Sequence, residues 1–447
     1  MKKGVKNLFI ASVLIVGHLT LVNRVTAQIF TNLDTFEGYS YAGLILSDNV
    51  LYGTAASGGS YGSGFIFAIN INGTGFTNLH SFTAVTGSNP YYNSDGAGPQ
   101  AALILSGHIL YGTTVTGGSS GRGTVFALNT NGTGFTNLHT FTFNDGITPF
   151  GGLTFFSNTL YGATSAGGGT SDNGTVFAVK TDGTGFTKIH SFAGGTNDGA
   201  VPASGNLVLS ENTLYGTTQI GGALGNGIVF ALSITGTTFR ILHSFDGTNG
   251  AFGQGSLSLS QKTLFGTTCS GGTHRMGTVF RVNTDGTGFT NLHNFTGGMD
   301  GAEPYGGVII SSDILFGTGR YGGADSLGLV FAINTDGTGL RVLHSFEEKD
   351  GGSIPFSSLL LFQNALYGTT QNSVFRVFIQ PQLTIIPSGQ RVILTWPTSY
   401  NGFTLQSTTN LGSPVWTTNS LTPVVVNGQN TVTNPISLNH QFFRLSQ

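Results

Sequence analysis

One short phrase, Leu followed by Tyr or Phe and then Gly, recurs seven times in this chain of 447 residues, starting at Leu51, Leu110, Leu160, Leu214, Leu264, Leu315 and Leu366. The spacings are 59, 50, 54, 50, 51 and 51 residues. A fixed period of about 50 residues means that one supersecondary unit is copied and must bury its apolar face against its neighbours. Each phrase is followed by a Gly-rich stretch such as Thr116-Gly117-Gly118-Ser119-Ser120-Gly121-Arg122-Gly123 and then by a β-prone run such as Thr124-Val125-Phe126-Ala127-Leu128-Asn129. In five units a turn comes next, Asn-Gly or Asp-Gly before Thr-Gly, at Asn72, Asn131, Asp182, Asp285 and Asp336. These are the residue types that tight hairpins select. A further strand (Phe135 to Phe141 in the second unit) and an Asp-Gly loop complete the period.

Four short strands per unit, with no helical hydrophobic period between them, predict antiparallel β structure throughout. Blades of a β-propeller have about 40–50 residues and four strands, whereas the coils of a parallel β-helix are shorter. The seventh unit stops after Ser373-Val374-Phe375-Arg376-Val377-Phe378, one strand short. The missing strand stands at the other end, where Phe30-Thr31-Asn32-Leu33-Asp34-Thr35-Phe36 copies the Phe-Thr-Asn-Leu-His-Ser-Phe pattern. Pairing the two would remove two open sheet edges. The expectation is an all-β chain: a seven-bladed β-propeller over residues 28–379, closed by an N-terminal strand, and then a small β-sandwich over 380–447. From Gln380 the period is lost. Runs such as Arg391-Val392-Ile393-Leu394-Thr395-Trp396, with Asn401-Gly402 and Asn427-Gly428 as turns, read as a module of fibronectin or immunoglobulin type.

Residues 1–27 read as an export signal, with Lys2, Lys3 and Lys6, an apolar stretch from Leu8 to Val22, and Val25-Thr26-Ala27 as the cleavage site. The stretch, about 15 residues and containing His18, is too short for a spanning helix, so no transmembrane segment is expected. Composition narrows the function. Glycine supplies 71 residues and charged residues only 8%, yet the chain is 38% hydrophobic with a formal charge of −2, which excludes disorder. The export segment holds four positive charges and no acid, so the remainder is more acidic still, against the basic patches that nucleic acid requires. A lone cysteine, Cys269, allows no intrachain disulfide.

The ordered motifs Leu-Tyr-Gly-Thr-Thr, Gly-Gly, Gly-Thr-Val-Phe, Asp-Gly-Thr-Gly-Phe-Thr and Leu-His-Ser-Phe make residues 29–378 resemble the GloVer-type tandem repeat family of exported bacterial proteins. The resemblance implies a secreted or cell-surface location with varied C-terminal attachment modules, and it brings no known activity and no catalytic residues. The chain ends in Phe-Phe-Arg-Leu-Ser-Gln where some members carry a Pro-Glu-Pro sorting signal.

His80, His139, His190, His243, His293 and His344 occupy one position in six outer strands. Outer strands lie too far apart for these rings to share a metal, so each is assigned a partner within its own unit. Asp95, Asp145, Asp198, Asp300 and Asp350 precede Gly, with Glu37 and Asn249 in the other two units, and read as turn residues rather than a calcium ring. No metal and no cofactor is expected. Binding selectivity should break the repeat's symmetry. The residues entering the innermost strands are Tyr41, Gln100, Phe150, Ala203, Gln254, Tyr305 and Phe356, and aromatic faces beside amides suit sugar rings. Tyr91 and Tyr92, in the insertion between the first two units, and Arg122, Arg275 and Arg320, in the Gly-rich loops, complete the candidate ligand-binding set. Asp172, Asp325 and His274 are further charged departures from the repeat; Asp172 and Asp325 sit three units apart, too far for a glycosidase pair. No catalytic residue is assigned. The resulting expectation is a non-enzymatic scaffold for an extracellular glycan or protein; the alternatives are a polysaccharide lyase or hydrolase and a structural surface-layer component.

Overall fold

A computed structural model describes residues 29–87, 90–202, 205–379, 381, 383–398, 403–410, 413–426, 428–435 and 441–446. Residues 1–27, read from sequence as an export signal, and Ala203, Asn401-Gly402 and Asn427 lie outside the described residues. The protein is all-β, and the one helical turn among the described residues is Glu348–Asp350. The chain divides into a repeat unit, Phe30–Leu361 with Leu366–Val377, and a second unit made chiefly of Phe378 onward.

The repeat unit is a series of four-stranded antiparallel sheets of propeller-like kind, each formed from consecutive strands in sequence order. In the second copy these are Ile104–Ser106, Ile109–Thr114, Thr124–Asn129 and Thr136–Thr140. The fourth copy adds Gly199–Pro202 alongside Thr213–Gly221. The sheet of the last copy is completed from the start of the chain, with Phe30–Thr35 antiparallel to Ser373–Phe378 and Phe30 opposite Val377.

The recurring phrase is explained residue by residue. Its Leu has no exposed surface in any of the seven copies. Its Gly lies directly opposite the Phe of the third strand, as Gly112 lies opposite Phe126. A Cβ at Gly112 would stand 2.5 Å from Phe126 Cζ, and the same is true to within a few tenths of an ångström in the other six copies. The ring thus covers the glycine, filling space that no other residue leaves open. The Thr that follows ties one sheet to the next, since its Oγ1 donates to a carbonyl of the following copy: Thr54 to Ala101, Thr113 to Gly151, Thr267 to Gly306, Thr318 to Ser357, and Thr369 to Ala42. Ala163 holds this position in the third copy and makes no such bond.

The histidines also join neighbouring copies. Each of His80, His139, His190 and His243 lies flat on a Phe of the next copy, with centroids 3.5–4.4 Å apart. Their ring nitrogens meet the loop acids: His80 and Asp95 at 3.1 Å, His190 and Asp198 at 3.2 Å, His293 and Asp300 at 3.0 Å, His344 and Asp350 at 2.9 Å, with His139 and Asp145 longer at 3.4 Å. Burial raises the Asp95 carboxyl, but hydrogen bonds from His80 and Thr83 outweigh it and hold it below the usual value. In the turns, Asn131 Oδ1 accepts from both Thr133 N and Thr133 Oγ1, and Gly132 takes the positive φ of 82°.

The second unit has two sheets, one ordered Thr384–Ser388, Arg391–Pro397, Gln429–Pro435, Val424–Val426, the other Thr417–Thr418, Thr404–Thr408, Phe442–Ser446. Val392, Leu394, Trp396 and Val432 of the first share a buried cluster with Leu405, Phe443 and Leu445 of the second. Arg444 lies over the Trp416 ring, 4.4 Å from its centroid, and donates through Nε to Gln406 Oε1.

Candidate functional site

Ile45–Ser47 and its counterpart in each copy are only three residues long, and several of the segments leading into them pack on one another through glycine. A Cβ at Gly255 would meet Gly307 N at 2.4 Å, one at Gly306 would meet Ser357 O at 2.4 Å, and one at Gly43 would meet Ser358 O at 3.2 Å. Contacts this close leave room for side chains on the far side alone. There lies a partly open cavity of about 600 Å³, a volume usual for small-ligand sites.

Tyr41, Gln100, Phe150, Gln254, Tyr305 and Phe356 all line this cavity, and each comes from a different copy of the repeat. Gly205 and Asn206 represent the remaining copy. Four of the lining residues, Phe150, Gln254, Tyr305 and Phe356, are preceded by a strained turn residue two positions earlier. Thr148, Phe252, Glu303 and Ile354 have φ of 59°, 56°, 47° and 59°, a region costly for branched or bulky side chains. The turns are held by ties to the preceding copy, where Thr148 N donates to Arg122 O, Glu303 N to Met276 O and Ile354 N to Leu327 O. Pro149, Pro304 and Pro355 follow at once and pack against Gly123, Gly277 and Gly328 of the preceding copy.

The lining is uneven. Tyr41 meets Phe356 edge to face at 5.0 Å and Tyr305 meets Phe356 at 5.7 Å, which makes a continuous aromatic arc from three adjacent copies. Arg320 does not line the cavity. Its guanidinium carbon lies 5.0 Å from the Tyr305 ring centroid and 4.7 Å from that of Phe356, and its Nη1 donates to Glu303 Oε2 at 3.1 Å. The cation supports the rings, and its charge is met locally. Across the cavity stand amides: Gln219 Nε2 donates to Gln254 Oε1 at 3.2 Å, and Asn206 Nδ2 donates to Leu153 O. None of the described residues lining the cavity is Asp, Glu, His, Lys or Arg.

In three copies the sixth residue counted from the start of the Leu-Tyr/Phe-Gly phrase bears on the lining residue of the next copy. Gln219 touches Gln254, Arg320 touches Phe356, and Cys269 lies beside the Tyr305 phenol. Burial pushes the Cys269 thiol up to about 12, so it is no nucleophile. Burial likewise raises the Tyr305 phenol. The signal in sequence is variation at this one position, which holds Ala56, Val115, Ser165, Gln219, Cys269, Arg320 and Gln371 after an otherwise repeated phrase.

The other candidate residues stand apart from the cavity. Tyr91 and Tyr92 are 44% and 42% exposed in a loop closed by paired backbone bonds between Thr86 and Tyr92. Arg122 contributes its carbonyl to the Thr148 turn, and Arg275 is exposed in its Gly-rich loop. Asp172 accepts from Gly167 N within its own loop. No helix among the described residues is long and apolar enough to cross a membrane.

No curated protein matches the sequence. Among solved structures, the extracellular domain of a hybrid two-component system protein from B. thetaiotaomicron superposes with a TM-score of 0.51 at 11% identity, over 85% of this chain and 43% of that one. This likeness speaks to the fold alone. A 6-phosphogluconolactonase from Bacteroides uniformis (TM-score 0.41, 17% identity, 67% of this chain and 83% of that one) and a chain of a nidogen/laminin complex (0.39, 15%, 59% and 85%) are also similar. A family model described as the Gloeobacter/Verrucomicrobia repeat matches residues 18–208 and 169–375. With the motif, its period and the strand pattern all in register with that match, the chain belongs to the Gloeobacter/Verrucomicrobia repeat family.

Proposed function

We propose that this protein is an exported, non-enzymatic scaffold that binds an extracellular glycan or protein in the cavity between its repeats. In this reading the seven sheets are the blades of a propeller closed by the Phe30–Thr35 strand. Support for closure comes from that strand's pairing with Ser373–Phe378, from Thr369 Oγ1 donating to Ala42 O, and from Arg376 Nη1 donating to Ile71 O. The sheets over 380–447 serve as a sandwich-like spacer or attachment module, and residues 1–27 direct export.

The observation that carries the functional reading is the lining itself, aromatic and amide side chains at a position where the repeats differ and no charged group among the described ones. Of the two ligand classes, glycan fits better, because sugar C–H faces pack on aromatic rings while hydroxyls bond to amides. A glycan-array screen of residues 28–447 beside the Tyr305→Ala variant tests it. Glycan binding that the substitution weakens is the expected result; binding indifferent to Tyr305, or none at all, refutes the cavity as a glycan site. Export is tested separately by the N-terminal sequence of protein recovered outside the cell, which should begin near Gln28.

A further inference from the structure

Resting on the glycan reading, we infer that the cavity receives the uncharged terminal sugar of a glycan, entering end-on with one face of its ring against the Tyr41–Phe356–Tyr305 arc. Three observations lead there. The first is enclosure. The cavity takes lining from all the copies of the repeat, so in the closed ring of the proposed propeller it is walled around its axis. A polymer cannot lie through such a site, but a chain end can descend into it.

The second is polarity across the cavity. Tyr41, Phe356 and Tyr305 come from consecutive copies and contact one another edge to face at 5.0 and 5.7 Å, so they form one apolar wall. Gln219, Gln254 and Asn206 face it from other copies and offer both donors and acceptors. A pyranose has the matching division, an apolar face of axial C–H bonds and a rim of hydroxyls. Hydrogen bonds to amides also impose a cost on any ligand that leaves them unpaired, which gives selection among epimers.

The third is charge. The nearest cation, Arg320, is held beneath the Tyr305 and Phe356 rings and is already paired with Glu303 at 3.1 Å. A uronate or sialate carboxylate in the cavity would give up its water with no free cation to receive it. The site should therefore reject acidic ends that otherwise resemble the accepted ones.

The test uses the whole exported chain on an array that displays neutral oligosaccharides of increasing length beside counterparts ending in a uronic acid or sialic acid, with free methyl glycosides of the common neutral hexoses as competitors. The expected result is binding of one or more neutral-ended series, about equal along each series when compared per chain end, absent from the acid-ended counterparts, and displaced by one of the methyl glycosides. Gln254→Ala and Phe356→Leu should each weaken it about tenfold or more, and Tyr92→Ala, off the cavity, should leave it unchanged. Unaltered thermal unfolding of the weakened variants excludes misfolding as the cause. Binding that grows with internal length, resists every methyl glycoside or prefers acidic ends overturns end-on recognition while leaving a glycan scaffold intact. Silence across the array overturns both readings.

Discussion

The imidazole of His344 lies flat on the ring of Phe30, with centroids 4.0 Å apart and planes 7° from parallel, although the two residues come from opposite ends of the repeat region. The same stack joins His80 to Phe135 and His190 to Phe239 within the chain, so the first strand occupies the place that an ordinary copy would fill. Deleting residues 29–36 would uncover the Ser373–Phe378 edge and leave His344 without its ring. The deletion should lower the melting temperature by about 10 °C or more and produce aggregates that grow with concentration, measured by calorimetry and light scattering.

Gly266→Ala should destabilise the protein by about 2 kcal/mol, since its Cβ would stand 2.6 Å from Phe280 Cζ and 2.7 Å from a methyl of Leu257. Adding Phe280→Leu should recover part of the loss if the clash is the cause. Denaturant titration of the single and double variants measures both.

Thr54→Val keeps shape but removes the hydroxyl that donates to Ala101 O at 3.1 Å between adjacent sheets. The buried carbonyl loses its partner, at a cost of about 1–2 kcal/mol. The expected readout is an earlier denaturation midpoint with an unchanged slope.

Acid should weaken the fold well before the carboxylates titrate. Burial first of all, opposed only in part by Asp145 at His139, by Asn249 and Asp246 at His243 and by Asp350 at His344, holds these imidazoles below the ordinary value of 6.5. In the unfolded chain these rings take up protons near pH 6.5, whereas the native rings resist until lower pH. Between the two values the unfolded state binds more protons, so stability is full above about pH 6.5 and is lost as pH falls through the depressed native values. Melting temperatures measured from pH 7.5 to 5 should decline, and His344→Asn should flatten that decline while lowering stability at neutral pH.

Leu340 stands where five other outer strands, counting that of Phe30, place the Phe that covers a histidine. Leu340→Phe should therefore add a stack on His293 and raise stability by up to about 1 kcal/mol, visible as a small rise in melting temperature.

Much of this arrangement is legible in the sequence, for identifiable reasons. Strand order and turn placement follow from the seven copies of one pattern, and the Phe30–Thr35 pairing follows from its likeness to the outer strands. Six side chains that line the cavity are found by asking where otherwise equal units differ. What escapes sequence reading depends on contacts between copies. The bearing of Gln219 and Cys269 on the lining of the next copy shows in sequence only as variation after the repeated phrase, which does not say what either side chain touches. The Gly112–Phe126 contact is invisible for the opposite reason: both residues recur so regularly that neither marks a partner. Tyr91 and Tyr92 draw attention as paired aromatics, yet backbone bonds between Thr86 and Tyr92 hold their loop as a self-contained surface feature.

The threonine ties, the covered glycines and the stacked histidines are carried by letters of the repeat other than those that point into the cavity. Drift at Tyr41, Gln100 or Gln254 can therefore change the cavity lining while the joints between copies stay intact. A lineage that duplicates such a unit inherits the masonry ready-made and is free to experiment with the window.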